Sequence, residues 1–230
     1  MQQGTPHKTP LAVFDYDGTC IDGQSGSLIS TWLLKGGHLS ARAVTGLTWW
    51  GIRYKFHLPY RQEHSRELIF DSLRGYSPEE IDELMVRFHA EVLVPRYRPH
   101  ALEEVARRKE EGCATVIVSA TFEAIAREAA RYLGADGFVA TQMERDASGN
   151  YTGRVLGDVI AGAAKVAAAS AWADGYLGKD SWNLAYAYGD HHSDIELLTA
   201  AEHPLAVSPG PTLKREAREH GWPIDDWKVR

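Results

Sequence analysis

Two aspartates, Asp15 and Asp17, follow the uncharged run Leu11-Ala12-Val13-Phe14 and lead into Gly18-Thr19. An apolar run of this kind suits a strand buried on both faces of a parallel sheet. Open α/β sheets bind their ligands outside the carboxyl ends of such strands. Along an extended chain Asp15 and Asp17 project to one side and Tyr16 to the other. Two carboxylates held this close repel unless a cation lies between them or one keeps its proton. Gly18 permits a sharp turn that aims amide N–H groups at an anion. The pattern suits a site where paired acids hold a cation or a proton next to amides that face an anion, and the plainer alternative is a solvated turn after a strand.

Three further places carry residues of the same kind. Ser119-Ala120-Thr121 follows the β-branched run Ala114-Thr115-Val116-Ile117-Val118 and precedes a helical pattern. A hydroxyl beside free helix amides seats a phosphate, although Ser and Thr also serve as ordinary N-caps. Lys165 lies in the small-residue helix opening Ala161-Gly162-Ala163-Ala164; a lysine there is a solvated residue unless other groups converge on it. Asp190 and Asp194, in Gly189-Asp190-His191-His192-Ser193-Asp194, follow the strand-like run Leu184 to Tyr188. Carboxylate oxygens with several waters suit Mg²⁺. His191 and His192 invite a zinc reading, but adjacent histidines diverge, and no third His or Cys stands at ligand spacing.

Two regions of the chain differ in pattern. From about Ser25 to His89 the apolar residues recur at helical spacing, with Ser77-Pro78-Glu79-Glu80 as a helix start. From about Tyr97 onward strands and helices alternate: helices over 101–111, 122–133, 161–173 and 193–200, and strands over 114–118, 137–140, 184–188 and 205–207. Asp146-Ala147-Ser148-Gly149-Asn150 supplies turn chemistry for a hairpin within 141–155. The strand at 11–16 needs the same sheet. The expectation is therefore an α/β fold, a doubly wound parallel-sheet (Rossmann-like) core of residues 1–19 and 97–230, with residues 20–96 inserted as an all-helical cap.

Composition narrows the class. The 230 residues carry a formal net charge of -6, which disfavours nucleic acid or an anionic membrane as main partner. The two cysteines, Cys20 and Cys113, are too few for a disulfide framework and fit a reducing compartment. The first ten residues lack the apolar stretch of a signal peptide. No window of about 18 apolar residues is present. A cytoplasmic enzyme is expected, without stable membrane insertion; the sequence carries no signal for oligomeric state.

Taken in order, Asp15-x-Asp17-Gly18-Thr19, Ser119, Lys165 and Asp190/Asp194 resemble the four motifs of the haloacid dehalogenase-like superfamily. The helical insertion and the hairpin before Lys165 are similar to the subgroup that includes the phosphoserine phosphatases (subfamily IB). The resemblance implies that Asp15 is a nucleophile forming an aspartyl-phosphate and that Asp17 is general acid and base. It implies Mg²⁺ held by the Asp15 carboxylate, the Asp17 main-chain carbonyl and Asp190, with Asp194 on metal waters. Ser119, Lys165 and the amides near Gly18 would bind phosphoryl oxygens. Members that dehalogenate lack an acid at the position of Asp17, so phosphate-ester hydrolysis is implied, with a small phosphorylated metabolite as substrate.

Phosphoserine phosphatases carry a Glu where this chain has Gln24, and a neutral amide does not neutralise a desolvated ammonium. Arg66 stands in the region of their carboxylate-gripping cap arginine. Phosphoserine is therefore disfavoured, and Gln24 and Arg66 are specificity candidates. The segment Trp49 to Phe56 reads as an inward-facing cap helix with snorkelling cations, or as a lipid or partner surface. Cys20 reads as a small buried hydrophobe, and Trp222 and Trp227 as packing at the core edge. The rivals are a phosphotransferase or mutase of the same fold, an inactive phosphate-binding protein, and a receiver domain. The last is too short and lacks both the insertion and the late Gly-Asp site.

Overall fold

Strand β1 (Thr9–Asp15) divides its side chains between two cores, as period-two alternation requires. Ala12, Phe14 and the following Tyr16 join one cluster, while Leu11 and Val13 join the other. The computed structural model describes residues 8–55 and 62–228. After β1 come four helices: α1 (Ser25–Lys35), α2 (Ala41–Lys55), α3 (Gln62–Ser72) and α4 (Pro78–Phe88). A π-helical turn, His89–Leu93, and a 3₁₀ turn, Val94–Arg96, lead to α5 (Pro99–Glu110). The alternating part runs β2 (Ala114–Phe122), α6 (Glu123–Leu133), β3 (Gly137–Arg145), β4 (Tyr151–Leu156), α7 (Ala163–Leu177) and β5 (Trp182–Gly189). A 3₁₀ turn, His192–Asp194, then precedes α8 (Ile195–Ala200), β6 (His203–Val207), α9 (Pro211–His220) and β7 (Ile224–Asp225).

The seven strands form one sheet in the order β4-β3-β2-β1-β5-β6-β7. All neighbours are parallel except β3 and β4, which form the expected hairpin around Asp146 to Asn150. Residues from α1, α3, α4, α5 and α6 cover one face, and residues from α7, α8 and α9 cover the other. This is the doubly wound α/β architecture, with a near-continuous apolar central strand because both faces are buried. The chain runs outward from β1 through β2, β3 and β4, then crosses by α7 to β5 on the other side of β1. The winding therefore reverses there, and a crevice opens at the carboxyl end of β1. Between Asp15 and Ala114 the described residues contain helices and turns but no strand.

Local chemistry accounts for some element ends. At α4, Ser77 Oγ accepts from the Glu80 N–H at 3.2 Å while Glu80 Oε2 accepts from the Ser77 N–H at 2.7 Å, a reciprocal capping box. Other ends moved. β1 stops at Asp15, which still pairs with Val118, rather than at Tyr16. The short strand expected at 137–140 runs on to Arg145 because Gln142 and Met143 pair with Leu156 and Val155. The helix expected from Ser193 begins at Ile195; Asp194 turns its carboxylate back to the His191 N–H, tightening the preceding turn.

Two apolar segments also differ from expectation. Trp49 is 58 % exposed and Ile52 41 %, so these two residues do not face inward. Helix α2 lies against α3, with Gly46 over Leu68, and its opposite side is left to solvent. Phe56 lies outside the described residues. Trp227 sits deeper than a core edge: it is buried against Tyr188, their ring centroids 5.8 Å apart. Cys20 is fully buried, as expected, its thiol directed at the Asp15 carbonyl. Among the described residues no helix is long and apolar enough to cross a membrane.

Candidate active site

Adjacent strand ends bring the acids together. In the β1–β5 register Phe14 faces Tyr188, so Asp15 and Asp190 both emerge from the crevice edge of neighbouring strands. Asp15 shares its strand parity with Leu11 and Val13 and therefore faces the layer that contains α7. Lys165, in the first turn of α7, meets it there: its Nζ donates to Asp15 Oδ1 and to Asp194 Oδ1, both at 2.5 Å. All three residues are at least 95 % buried. Asp15, Asp190 and Asp194 each present an oxygen within 4.8 Å of the others. Thr19 Oγ1 lies 3.3 Å from Asp15 Oδ2 and 3.4 Å from Asp190 Oδ1, one proton shared between two acids.

Two glycines make this convergence sterically feasible. Gly18 has φ +85°, and a Cβ there would lie 2.1 Å from Asp190 Oδ2. At Gly189 a Cβ would lie 2.6 Å from the Asp194 Cβ. No side chain fits at either place without displacing an acid of the cluster.

Asp17 is held separately. Its Oδ1 accepts from the Ser25 backbone N–H at 2.7 Å, and its Oδ2 accepts from Ser25 Oγ at 2.9 Å. Ser25 Oγ is also 2.7 Å from Thr121 Oγ1. Tyr16 points the opposite way, as alternation requires, and its hydroxyl meets that of Tyr97 at 3.0 Å. Ser119 is buried, with its Oγ accepting from the Thr121 N–H at 3.1 Å. It does not cap α6, whose N-cap position falls at Phe122. Arg66 descends from α3 to donate through Nε to the Ala120 carbonyl at 2.9 Å, between Ser119 and Thr121. Gln24 is exposed at the N-cap of α1 and makes no capping bond, so it stays outside the buried cluster.

A family model for the haloacid dehalogenase-like hydrolases matches residues 12–199. The chain belongs to that family. This hydrolase is similar to the histidinol-phosphatase of Neisseria meningitidis, with 29 % identity over 224 residues covering 95 % of this chain and 99 % of that protein. It is also similar to the phosphoserine phosphatase SerB1 of Mycobacterium tuberculosis, with 26 % identity over 228 residues, 96 % of this chain and 72 % of that one. A solved structure from Bordetella pertussis, of a protein of unknown function, matches with a TM-score of 0.85 at 27 % identity, over 96 % of this chain and 100 % of that chain.

The electrostatics of the hydrolase site call for a further cation. Burial pushes the Asp15 carboxyl well up, against the pull of Lys165, and the neighbouring acids add to the rise. Burial and Asp194 push Asp190 up to about 7. Lys165 rises too: burial disfavours its charge, but Asp15 and Asp194 outweigh that. Asp15 rises chiefly because it is buried and Lys165 because two carboxylates touch it, and one ammonium beside three clustered carboxylates leaves an excess of negative charge. A divalent ion with oxygen preference fits this donor set, and Mg²⁺ is such an ion. Asp17 is raised by burial, with the two Ser25 hydrogen bonds and the Lys165 and Arg66 charges pulling in the other direction.

Motif spacing pointed to Asp15, Asp17, Gly18, Ser119, Lys165, Asp190 and Asp194, and the fold gathers them at one end of the sheet. Ser25 was missed, as were the roles of the Thr19 and Thr121 hydroxyls. The sequence signal for Ser25 is its place at the first turn of α1, next to Gln24.

Proposed function

We propose that this hydrolase is a Mg²⁺-dependent phosphatase that cleaves a small phosphomonoester through an aspartyl-phosphate on Asp15. The observation carrying this reading is the clustering of Asp15, Asp190 and Asp194, with the buried Lys165 bonded to Asp15 and Asp194 and Asp17 on its own mount beside them. The names of its relatives, phosphatases of histidinol phosphate and phosphoserine, support the same class.

In the first step an Asp15 oxygen attacks phosphorus and the bond to the ester oxygen breaks. Asp17 gives its proton to that leaving oxygen, which makes an alkoxide departure unnecessary. In the second step Asp17 takes a proton from water as the water oxygen attacks phosphorus, releasing phosphate and the free Asp15 carboxylate. An acid raised by burial suits both duties, because it is readily protonated and readily returns the proton. Lys165, Ser119 and the amides following Asp17 hold the phosphoryl oxygens, where charge must be stabilised. Asp15, the Asp17 carbonyl, Asp190 and Asp194 are the residues that would hold Mg²⁺, which supplies further positive charge to those oxygens.

Residues 20–96 act in this reading as a cap over a core formed by 1–19 and 97–230. Support comes from two residues of the helices between β1 and β2, Ser25 and Arg66, that reach residues 120 and 121 near the end of β2. Gln24 and Arg66 are the specificity residues. Gln24 lacks the charge needed to neutralise a substrate ammonium, which argues against phosphoserine as the preferred ester. The test is phosphate release from a panel of small phosphomonoesters, phosphoserine and histidinol phosphate included, in Mg²⁺ and in EDTA. Release in Mg²⁺ that EDTA abolishes supports the reading; no release from any ester refutes it.

A further inference from the structure

Ser25 occupies an unusual place for a helix-initiating serine. It begins α1, yet the N-cap residue Gln24 makes no side-chain cap, and the Ser25 amide is taken by Asp17, eight residues upstream. The Ser25 hydroxyl takes the other oxygen of the same carboxylate. Both contacts come from one fully buried residue, so Asp17 is gripped on both oxygens by the first residue of the helical insertion. A hydroxyl has one proton. With the Ser25 proton given to Asp17, the 2.7 Å contact to Thr121 requires Thr121 to donate to Ser25 Oγ. Thr121 is itself 5 % exposed and stands on β2, two residues beyond Ser119. The result is a buried chain, Thr121 to Ser25 to Asp17, linking the end of a core strand to the candidate acid through the insertion.

We propose that Ser25 is a positioning residue for Asp17, and that Thr121 fixes Ser25 in the orientation this requires. The proposal rests on the reading of Asp17 as the group that protonates the leaving oxygen. A carboxylate at the end of a glycine-containing turn has rotational freedom, and a bidentate grip removes it. The Ser25 backbone N–H anchors one oxygen whatever the side chain. The hydroxyl supplies the second point, so its loss frees rotation without removing the acid.

Proton delivery matters most for poor leaving groups, which gives the test a readout that general destabilisation does not move. Wild type, Ser25→Ala, Ser25→Thr, Thr121→Val and Asp17→Asn are compared on an alkyl phosphate and on p-nitrophenyl phosphate. Losses are read in kcat/KM, which reports the step that expels the alcohol, because kcat also contains the hydrolysis of the aspartyl-phosphate common to both esters. Asp17→Asn tests the underlying reading: a selective loss on the alkyl ester, within the ~10²–10⁴-fold range of acid–base catalysis, is expected. A uniform loss there overturns the acid assignment and with it this proposal. Given a selective loss in Asp17→Asn, Ser25→Ala is expected to lower the alkyl-to-aryl ratio of kcat/KM ~10-fold or more, as misplacement of a reacting group does. Ser25→Thr is expected to restore the ratio, and Thr121→Val to lower it less than Ser25→Ala. Equal losses on both esters in Ser25→Ala, or an unchanged ratio, contradict the positioning role. If Ser25→Ala does not fold, Thr121→Val decides: a lowered ratio upholds the chain, and an unchanged one overturns it.

Discussion

Lys165 Nζ stands 2.5 Å from Asp15 Oδ1 across 150 residues of sequence, and both side chains are buried. The same ammonium touches Asp194 at 2.5 Å, so one cation ties a helix of the second half to the first strand and to the last acidic loop. Lys165→Met removes the ammonium that touches two buried acids. Breaking a buried pair in this way costs about 3–5 kcal/mol. The variant should melt well below wild type in EDTA, and Mg²⁺ should raise its melting temperature more than that of wild type. Its turnover should fall ~10²-fold or more, as for loss of a preorganised charge. Equal melting of the two proteins in EDTA would count against the structural half of this account.

Gly18→Ala tests the interlock of the first motif with Asp190. The new Cβ would overlap the Asp190 carboxylate in a backbone conformation with φ +85°. Displacing that oxygen should weaken Mg²⁺ activation ~10–100-fold, comparable to other perturbations of ligand orientation. The half-saturating Mg²⁺ concentration for phosphate release measures it, and an unchanged value refutes the interlock.

Arg66 reaches from α3 to the Ala120 carbonyl, next to the Ser119 hydroxyl. Arg66→Ala should raise KM about tenfold, the worth of one charged hydrogen bond, with kcat moving less. Arg66→Lys should recover only part of the loss, because an ammonium does not reproduce a planar fork. A variant with unchanged KM on the preferred ester would remove Arg66 from the specificity residues.

Stability in acid should depend on Asp136, far from the site. Burial raises this carboxyl, but the Lys109 ammonium and the Thr115 N–H and hydroxyl outweigh it and hold it below its ordinary value. A depressed folded-state value means that stability is present above the unfolded carboxylate value, about 3.9, and is lost as pH falls through the folded one. Asp136→Asn should therefore be less stable than wild type near neutral pH, with the gap closing below about pH 4. Denaturant midpoints measured from pH 7 to pH 3 report it, and a gap that widens in acid would reverse the sign.

The candidate site was legible wherever chemistry follows directly on a buried strand. Asp15, Ser119 and Asp190 each come just after an apolar run, and runs of that kind fix both the strand and the end that faces ligand. Ser77 announced the start of α4 because its capping box is local. Ser25 was not legible, since its partner depends on how the Gly18 turn folds back onto α1, a tertiary choice. The exposure of Trp49 and Ile52 was hidden for a related reason: α2 has apolar residues on more than one face, and only its packing on α3 selects the buried one. The late start of α8 follows from Asp194 turning to His191 and Lys165 rather than from any local breaker.

The most direct test of the account is to find where the phosphoryl group goes. Enzyme turning over a preferred ester in Mg²⁺ is quenched in acid and its peptides are mapped by mass spectrometry, with Asp15→Asn in parallel. The account predicts a phosphoryl group on the peptide at Asp15 in wild type, and neither label nor turnover in the variant. Turnover by Asp15→Asn, or label on another residue such as His191 or His192, would contradict it.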